Sequence, residues 1–284
     1  MDENPMFCYQ CEQTAGGKGC TKMGVCGKTP EIANLQDLLL YQCKGISCYA
    51  KDLIEKGEEI DKSVVSFVEN SLFTTLTNVN FDAEVHVEML KDSQKIKENL
   101  RDRVGDDKDY PEQATYNLSE TKEEMLKDSK RAGIMFDQDL DADVRSLRQT
   151  IVYGLKGISA YGHQARCLDY YDDQVDNFYF RGLECTTNDN LSVEELIRMT
   201  MRTGDMSVAV MKKLDEANTE TYKNPSPHKV NVNIEKGPFI IVSGHDLRDL
   251  EMLLEQTEGK GINIYTHGEM LPSHGYPGLK KYKH

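Results

Sequence analysis

Lys44-Gly45-Ile46-Ser47, inside Gln42-Cys43-Lys44-Gly45-Ile46-Ser47-Cys48-Tyr49, returns as Lys156-Gly157-Ile158-Ser159 inside Leu155-Lys156-Gly157-Ile158-Ser159-Ala160-Tyr161, and this repetition decides the fold. A second pair follows it: Thr77-Asn78-Val79-Asn80-Phe81 is echoed by Thr187-Asn188-Asp189-Asn190-Leu191. The offset is 112 residues from Lys44 to Lys156 and 110 from Thr77 to Thr187. One supersecondary unit is therefore used twice, with a small insertion or deletion between the copies.

Around the first copy, Ile32, Leu35, Leu39, Cys43, Ile46, Ala50 and Leu53 recur at steps of three and four, the spacing of one helical face. Thr29-Pro30-Glu31 reads as N-cap, first helical position and first-turn acid, and Gly57 as the stop. A second helix runs from Asp61 through Val64, Val65, Val68 and Leu72 to Leu76, and a third follows a cap at Asp82, from Ala83 to Arg101. Short connections make these three an up-down-up bundle, and the repeat predicts a second one. Arg101 to Gly133 reads as a surface connection with one weak helix. Asp137, Asp139, Asp141 and Asp143 mimic a calcium loop, but Ala142 stands where glycine is needed and Arg148 where a bidentate acid is needed, so they read as a helix start. In the second copy Ser192-Val193-Glu194-Glu195 is a capping box, opening a helix whose apolar stripe is read as Leu196, Met199, Val208 and Met211. Cys43, Cys48, Cys167, Cys185 and His163 read as structural.

Beyond a linker from Asn218 to Gly237, Pro238-Phe239-Ile240-Ile241-Val242-Ser243 is an apolar run of strand length, the mark of a buried parallel strand. A helix from Asp246 to Gln256, the turn Gly259-Lys260-Gly261 and the strand Ile262-Asn263-Ile264-Tyr265 complete one βαβ unit. Its first turn lacks the three-glycine dinucleotide fingerprint, so no nicotinamide or flavin is assigned. The expected fold class is mainly α: a cysteine loop over 1–28, helical-bundle units with linkers over 29–134 and 135–236, and the start of a parallel, Rossmann-like α/β domain over 237–284. A lone βαβ unit cannot bury both faces of its sheet, so the end at His284 is read as that of a fragment, a truncated product or one half of a split protein.

Four of the eight cysteines lie in the first 26 residues, spaced Cys8-x2-Cys11-x8-Cys20-x5-Cys26. Thiolates are soft anionic ligands, and four on one short loop suit iron–sulfur or zinc rather than a hard cation. The insert Gln13-Thr14-Ala15-Gly16-Gly17-Lys18-Gly19 is flexible enough to turn backbone N–H groups towards sulfur, and Lys18, Lys22 and Lys28 offset anionic charge. Zinc usually brings two short Cys-x2-Cys knuckles and only one is present; a disulfide pair calls for an oxidising compartment, and Met1-Asp2-Glu3-Asn4 is no secretory leader.

The segments Met6-Phe7-Cys8-Tyr9-Gln10-Cys11-Glu12-Gln13-Thr14, Gly24-Val25-Cys26-Gly27-Lys28, Lys44-Gly45-Ile46-Ser47 and Thr77-Asn78-Val79-Asn80-Phe81 together resemble the hybrid cluster proteins, also called prismane proteins or hydroxylamine reductases. The resemblance implies a cubane [4Fe-4S] cluster on Cys8, Cys11, Cys20 and Cys26. It also implies reduction of hydroxylamine to ammonia and water, or of nitric oxide to nitrous oxide, with electrons from a redox donor. His245 follows the first predicted strand, and His267 and Glu269 follow the second, where a parallel sheet places its ligands. Ser243-Gly244-His245-Asp246 and Thr266-His267-Gly268-Glu269 resemble the family's motifs for the hybrid [4Fe-2O-2S] cluster, which carries over His245 and Glu269 as ligands and leaves His267 and His274 as supporting donors or proton sources. The family's further ligands, cysteines and a second glutamate, have no counterpart here, since no cysteine follows Cys185. A C-terminal half or second subunit is therefore an expected partner, and a stand-alone [4Fe-4S] electron-transfer module or a zinc-stapled helical protein are the alternatives.

With 48 acidic and 34 basic residues among 284 the net charge is −14, which disfavours nucleic acid and anionic membranes. No apolar run reaches membrane-spanning length. Eight cysteines without an export signal predict a reducing cytoplasm.

Overall fold

The structure is a computed structural model that describes residues 6–105, 108–136 and 138–284. It is mainly helical, with a small two-stranded parallel sheet. The chain divides into two compact units, residues 1–160 with 173–209, and residues 161–172 with 210–284.

The first unit is built on α1 (Pro30–Glu55), which starts as expected: the Thr29 side chain accepts from the Ile32 N–H at 3.3 Å, and Pro30 sits where no N–H is needed. The amphipathic expectation is too narrow. α1 buries not only Leu35, Leu39, Ile46 and Leu53 but also Asn34, Gln36, Gln42, Ser47 and Asp52. It packs against α3 (Ala83–Val104), α7 (Asp173–Cys185) and the short α4 (Glu112–Thr115) and α5 (Lys122–Asp128), so most of its length is enclosed, while Glu31, Lys51 and Glu55 keep access to water. α2 (Lys62–Thr74) adds Val65, Val68 and Leu72 to the core. α3 is capped by Asp82, whose carboxylate accepts from Glu84 and Val85 N–H groups.

The region read as a surface connection is partly core. Ala114 and Met125 are buried, and the Tyr49 hydroxyl donates to the Ala114 carbonyl at 3.2 Å. Isolated apolar residues among charges carry no periodic signal, and only the neighbouring helix turns them inward. α6 (Ala142–Arg166) begins at Asp141, whose carboxylate accepts from Asp143 and Val144 N–H groups at 2.9 and 3.3 Å. Asp137 lies outside the described residues. Arg148 is buried and donates to the Asn188 carbonyl and the Asp189 carboxylate.

The Ser192–Glu195 capping box is formed, and α8 runs Val193–Tyr222, past the expected start of the linker. Its stripe is shifted from the expected one. Leu196, Thr203, Met206, Val210 and Ala217 are buried, whereas Val208 and Met211 are 63% and 46% exposed. The Thr203 hydroxyl folds back on the Met199 carbonyl at 2.9 Å, so a residue that looks polar behaves as apolar and sets the phase of the helix. Cys43, Cys48 and Cys185 are buried as read; Cys167 is exposed, with its sulfur 3.6 Å from His163 Nε2.

In the second unit β1 (Phe239–Ser243) pairs in parallel with β2 (Asn263–His267), Ile241 opposite Tyr265 and Ser243 opposite His267. α9 (Leu247–Thr257), capped by the Asp246 carboxylate, is the crossover and places Leu247, Leu250 and Leu254 with Tyr222, Met270 and Leu279 of α10 (Pro277–Lys280) in one core. The parallel pairing is as expected, but β1 is not buried: Phe239, Ile240 and Ile241 are 54%, 38% and 64% exposed. One helix covers one side of a parallel pair, and an apolar strand needs a cover on both.

A buried ammonium in the first unit gives a pH test. Lys97 Nζ donates to Gln42 Oε1 and to the Tyr116 and Gln113 carbonyls, tying α3 to α1 and to the segment after α4. Burial pulls its pKa down to about 8. An unfolded lysine titrates near 10.4, so between those values the unfolded chain binds more protons and stability rises with pH. The wild type should gain on the order of 3 kcal/mol relative to Lys97→Met between pH 8 and 10.4 in urea unfolding. Parallel pH curves for the two proteins would count against this burial penalty.

Candidate metal centre

The cysteine loop folds back on itself through two backbone bonds, Cys8 N–H to Cys20 O at 3.0 Å and Cys20 N–H to Cys8 O at 2.8 Å. A single 3-10 turn, Ala15–Gly17, reverses the chain between them, with Gly16 and Gly17 at φ of 60° and 66°. That left-handed geometry strains any residue with a Cβ, which is why the insert is glycine-rich. Gly19 has a further reason: a Cβ there would lie 2.6 Å from the Phe7 ring.

The reversal aims a donor at sulfur. The Ala15 N–H points at Cys20 Sγ at 3.4 Å, and the Thr14 hydroxyl, which donates to the Cys8 carbonyl at 3.0 Å, stands 3.6 Å from the same sulfur. The Ala15 and Val25 N–H groups hold the Cys20 thiol below its ordinary pKa against the opposing effect of burial. Burial, with the Glu184 charge beside Cys48 and Cys185, pushes Cys43, Cys48 and Cys185 up to about 12, so those three remain neutral thiols at any ordinary pH. The sequence separated the two classes by spacing; the structure sets Cys20 apart from the three buried thiols by the backbone donors offered to its sulfur. The role of Thr14 carried no sequence signal.

Cys20 is buried, Cys8 and Cys11 are partly buried, and Cys26 is exposed beside a tight turn closed by Gly27 N–H to Gly24 O at 2.8 Å. All eight cysteines are free thiols. Among the described residues no three His, Cys, Asp or Glu side chains surround a common point as a bound metal needs. The donor set fits a thiophilic group in kind: soft sulfurs, one of them held towards its anionic form, on a loop with positive-φ glycines. Of the three expected lysines only Lys28 is built in, buried and donating to Gln36 Oε1 at 2.6 Å.

The second unit brings the other expected pair together. His245 Nε2 lies 2.9 Å from Glu269 Oε2, one residue from each coming off the carboxyl ends of β1 and β2. Gly244 and Gly268, at φ of 140° and 57°, let the chain leave both strands towards the same edge. His245 and Glu269 side chains are 56% and 73% exposed, so their contact contributes little as an ion pair, and its interest is one imidazole nitrogen and one carboxylate facing the same point. His267 and His274 are occupied elsewhere: His267 Nδ1 is 3.1 Å from Ser243 Oγ, and His274 Nε2 is 2.7 Å from Thr266 Oγ1. Burial and the neighbouring His228 lower the pKa of His274.

Both arrangements lie within one matched region: a profile of the Prismane/CO dehydrogenase family matches residues 6–284. The chain belongs to this family. Among the similar members is a hydroxylamine reductase of Halothermothrix orenii, 44% identical over 289 residues that cover 98% of this chain and 51% of that protein. Those of Syntrophobacter fumaroxidans and Desulfovibrio desulfuricans are 46% and 45% identical, covering 98% and 99% of this chain and 52% and 51% of theirs. This prismane-family chain thus spans about half the length of the curated relatives it matches. No helix among its described residues is long and apolar enough to cross a membrane.

Proposed function

We propose that this chain is the N-terminal half of an iron–sulfur oxidoreductase of the hydroxylamine reductase type, with Cys8, Cys11, Cys20 and Cys26 holding a [4Fe-4S] cluster. The observation that carries the reading is the family match across residues 6–284, which takes in the four-cysteine loop and the His245–Glu269 pair alike. When bound, such a cluster supplies one-electron transfer. The residues of the chain then have distinct tasks. Cys20, offered the Ala15 and Val25 N–H groups, is the sulfur best prepared to carry negative charge. His245 and Glu269 would contribute one nitrogen and one oxygen donor to the second, hybrid [4Fe-2O-2S] cluster in the longer protein. The start of a Rossmann-like domain in 237–284 completes this reading, its remaining strands being supplied by the other half. The reaction of the whole enzyme would be NH2OH with two electrons and two protons giving NH3 and water; two molecules of nitric oxide with the same electrons and protons giving nitrous oxide and water is the variant. Cytoplasmic, anaerobic conditions suit such chemistry.

A second reading has its own support: among the described residues no third His, Cys, Asp or Glu joins His245 and Glu269 in a group that could hold a metal. By itself the chain would then be an electron-transfer module. Anaerobic reconstitution with ferrous salt and sulfide should give about four irons per chain and an EPR signal on reduction. Hydroxylamine turnover should require a polypeptide of the relatives' full length. A colourless chain that retains zinc and takes up no electrons would sink both readings.

A further inference from the structure

The repeated Lys-Gly-Ile-Ser segment has a consequence that its packing role leaves untouched. Lys44 of α1 and Lys156 of α6 both line one small cavity of about 30 Å³, and Cys8 lines it too. Asp37 and Leu40 stand seven and four residues before Lys44, and Gln149 and Val152 stand seven and four before Lys156; all four also face the cavity. The two copies thus bring equivalent faces to one point, with a single difference in charge: the first carries Asp37 where the second carries the neutral Gln149. Lys28 lines the cavity as well. Among the described residues, three lysines and Asp37 thus line it together.

These charges are poorly screened. A space of this size holds about one water molecule, so little solvent lies between the buried Lys28 and Lys156 and the Cys8 side of the cavity. Lys156 is 4% exposed, and Nζ finds only uncharged acceptors in Thr75 O at 3.3 Å and Gln10 Oε1 at 3.4 Å. The Tyr153 hydroxyl, also on the cavity wall, is buried. Burial pushes the Asp37 carboxyl up and the Lys156 ammonium down, and each draws the other back towards its charged form. Lys156 is thus a buried charge on the wall of a cavity that Cys8 of the cysteine loop also lines.

We propose that Lys156 and Lys44, opposed by Asp37, set the reduction potential of the iron–sulfur group that Cys8 would hold. This rests on the cluster assignment above. Each electron accepted from a donor such as dithionite makes that group one unit more negative, with no proton or bond change required. A nearby positive charge favours the reduced form and a negative charge disfavours it.

The test is an EPR-monitored redox titration of the anaerobically reconstituted chain. Lys156→Met should lower the reduction equilibrium constant about tenfold, which is about 59 mV for one electron. Asp37→Asn should move it the opposite way, Lys156→Arg should restore the wild-type value, and Lys44→Met should repeat the Lys156→Met shift if the latter does not fold. A purely structural role for these residues would alter iron retention and leave the potential of loaded protein in place. Loaded variants whose potentials coincide, or move in one direction for both charge signs, overturn this assignment alone. A wild-type chain that takes up no iron overturns the cluster reading and this assignment with it.

Discussion

Cys20→Ala should leave the chain unable to retain iron after anaerobic reconstitution, while Cys43→Ala should retain it in full. The two residues are alike in composition and in burial, at 4% and 0% exposure, so a test based on loss of a buried sulfur would not separate them. Their surroundings do. Cys20 Sγ receives the Ala15 N–H at 3.4 Å, which favours the thiolate, whereas burial holds Cys43 as a neutral thiol pushed up to about 12. Ligation requires the anion, so the group should fail to assemble in the first variant and survive in the second. Iron and acid-labile sulfide measured per chain decide the matter, with circular dichroism to confirm that both variants fold. Equal iron in the two would remove the cysteine loop from the site.

Gly45→Ala and Gly157→Ala should have opposite effects on stability although both alter the same Lys-Gly-Ile-Ser motif. A Cβ on Gly45 would lie 2.1 Å from the Gln113 carbonyl oxygen, 2.8 Å from its carbon and 3.1 Å from Ala114 Cα. These are backbone atoms, pinned by the Tyr49 hydroxyl on the Ala114 carbonyl and by Lys97 on Gln113 O, so α4 must be displaced rather than adjusted. The cost should reach about 3 kcal/mol, the upper part of the range for overpacking. Nothing stands within 4 Å of the equivalent point at Gly157, where alanine should add about 0.5–1 kcal/mol through helix propensity. Urea unfolding of the two variants checks this, and equal losses would mean that α4 does not seat on α1 as described.

Much of the first unit was legible because its signals are local. Thr29-Pro30, Asp82 and Ser192–Glu195 act within a few residues of themselves, and all three caps formed. The tight turn of the cysteine loop was legible for the same reason, since its glycine content acts locally. The misreadings were of partnership. Asn34, Gln36 and Gln42 are buried because several helices pack on α1, Ala114 and Met125 because α4 and α5 close over it, and Val208 is exposed because Thr203, Met206 and Val210 face the core instead. β1 was read as buried from its composition, which reports what a strand can tolerate and not what covers it.

The sequence by itself determined the main helices, their caps and the parallel strand pair, since each follows from backbone preference or short-range spacing. Only the tertiary structure decided that His245 meets Glu269 at 2.9 Å, that Ala15 points at Cys20, and that Lys44 and Lys156, 112 residues apart, face one cavity with Asp37. The physical reason is that donor identity is a property of a residue, whereas desolvation, charge and close approach belong to whatever the rest of the chain places beside it.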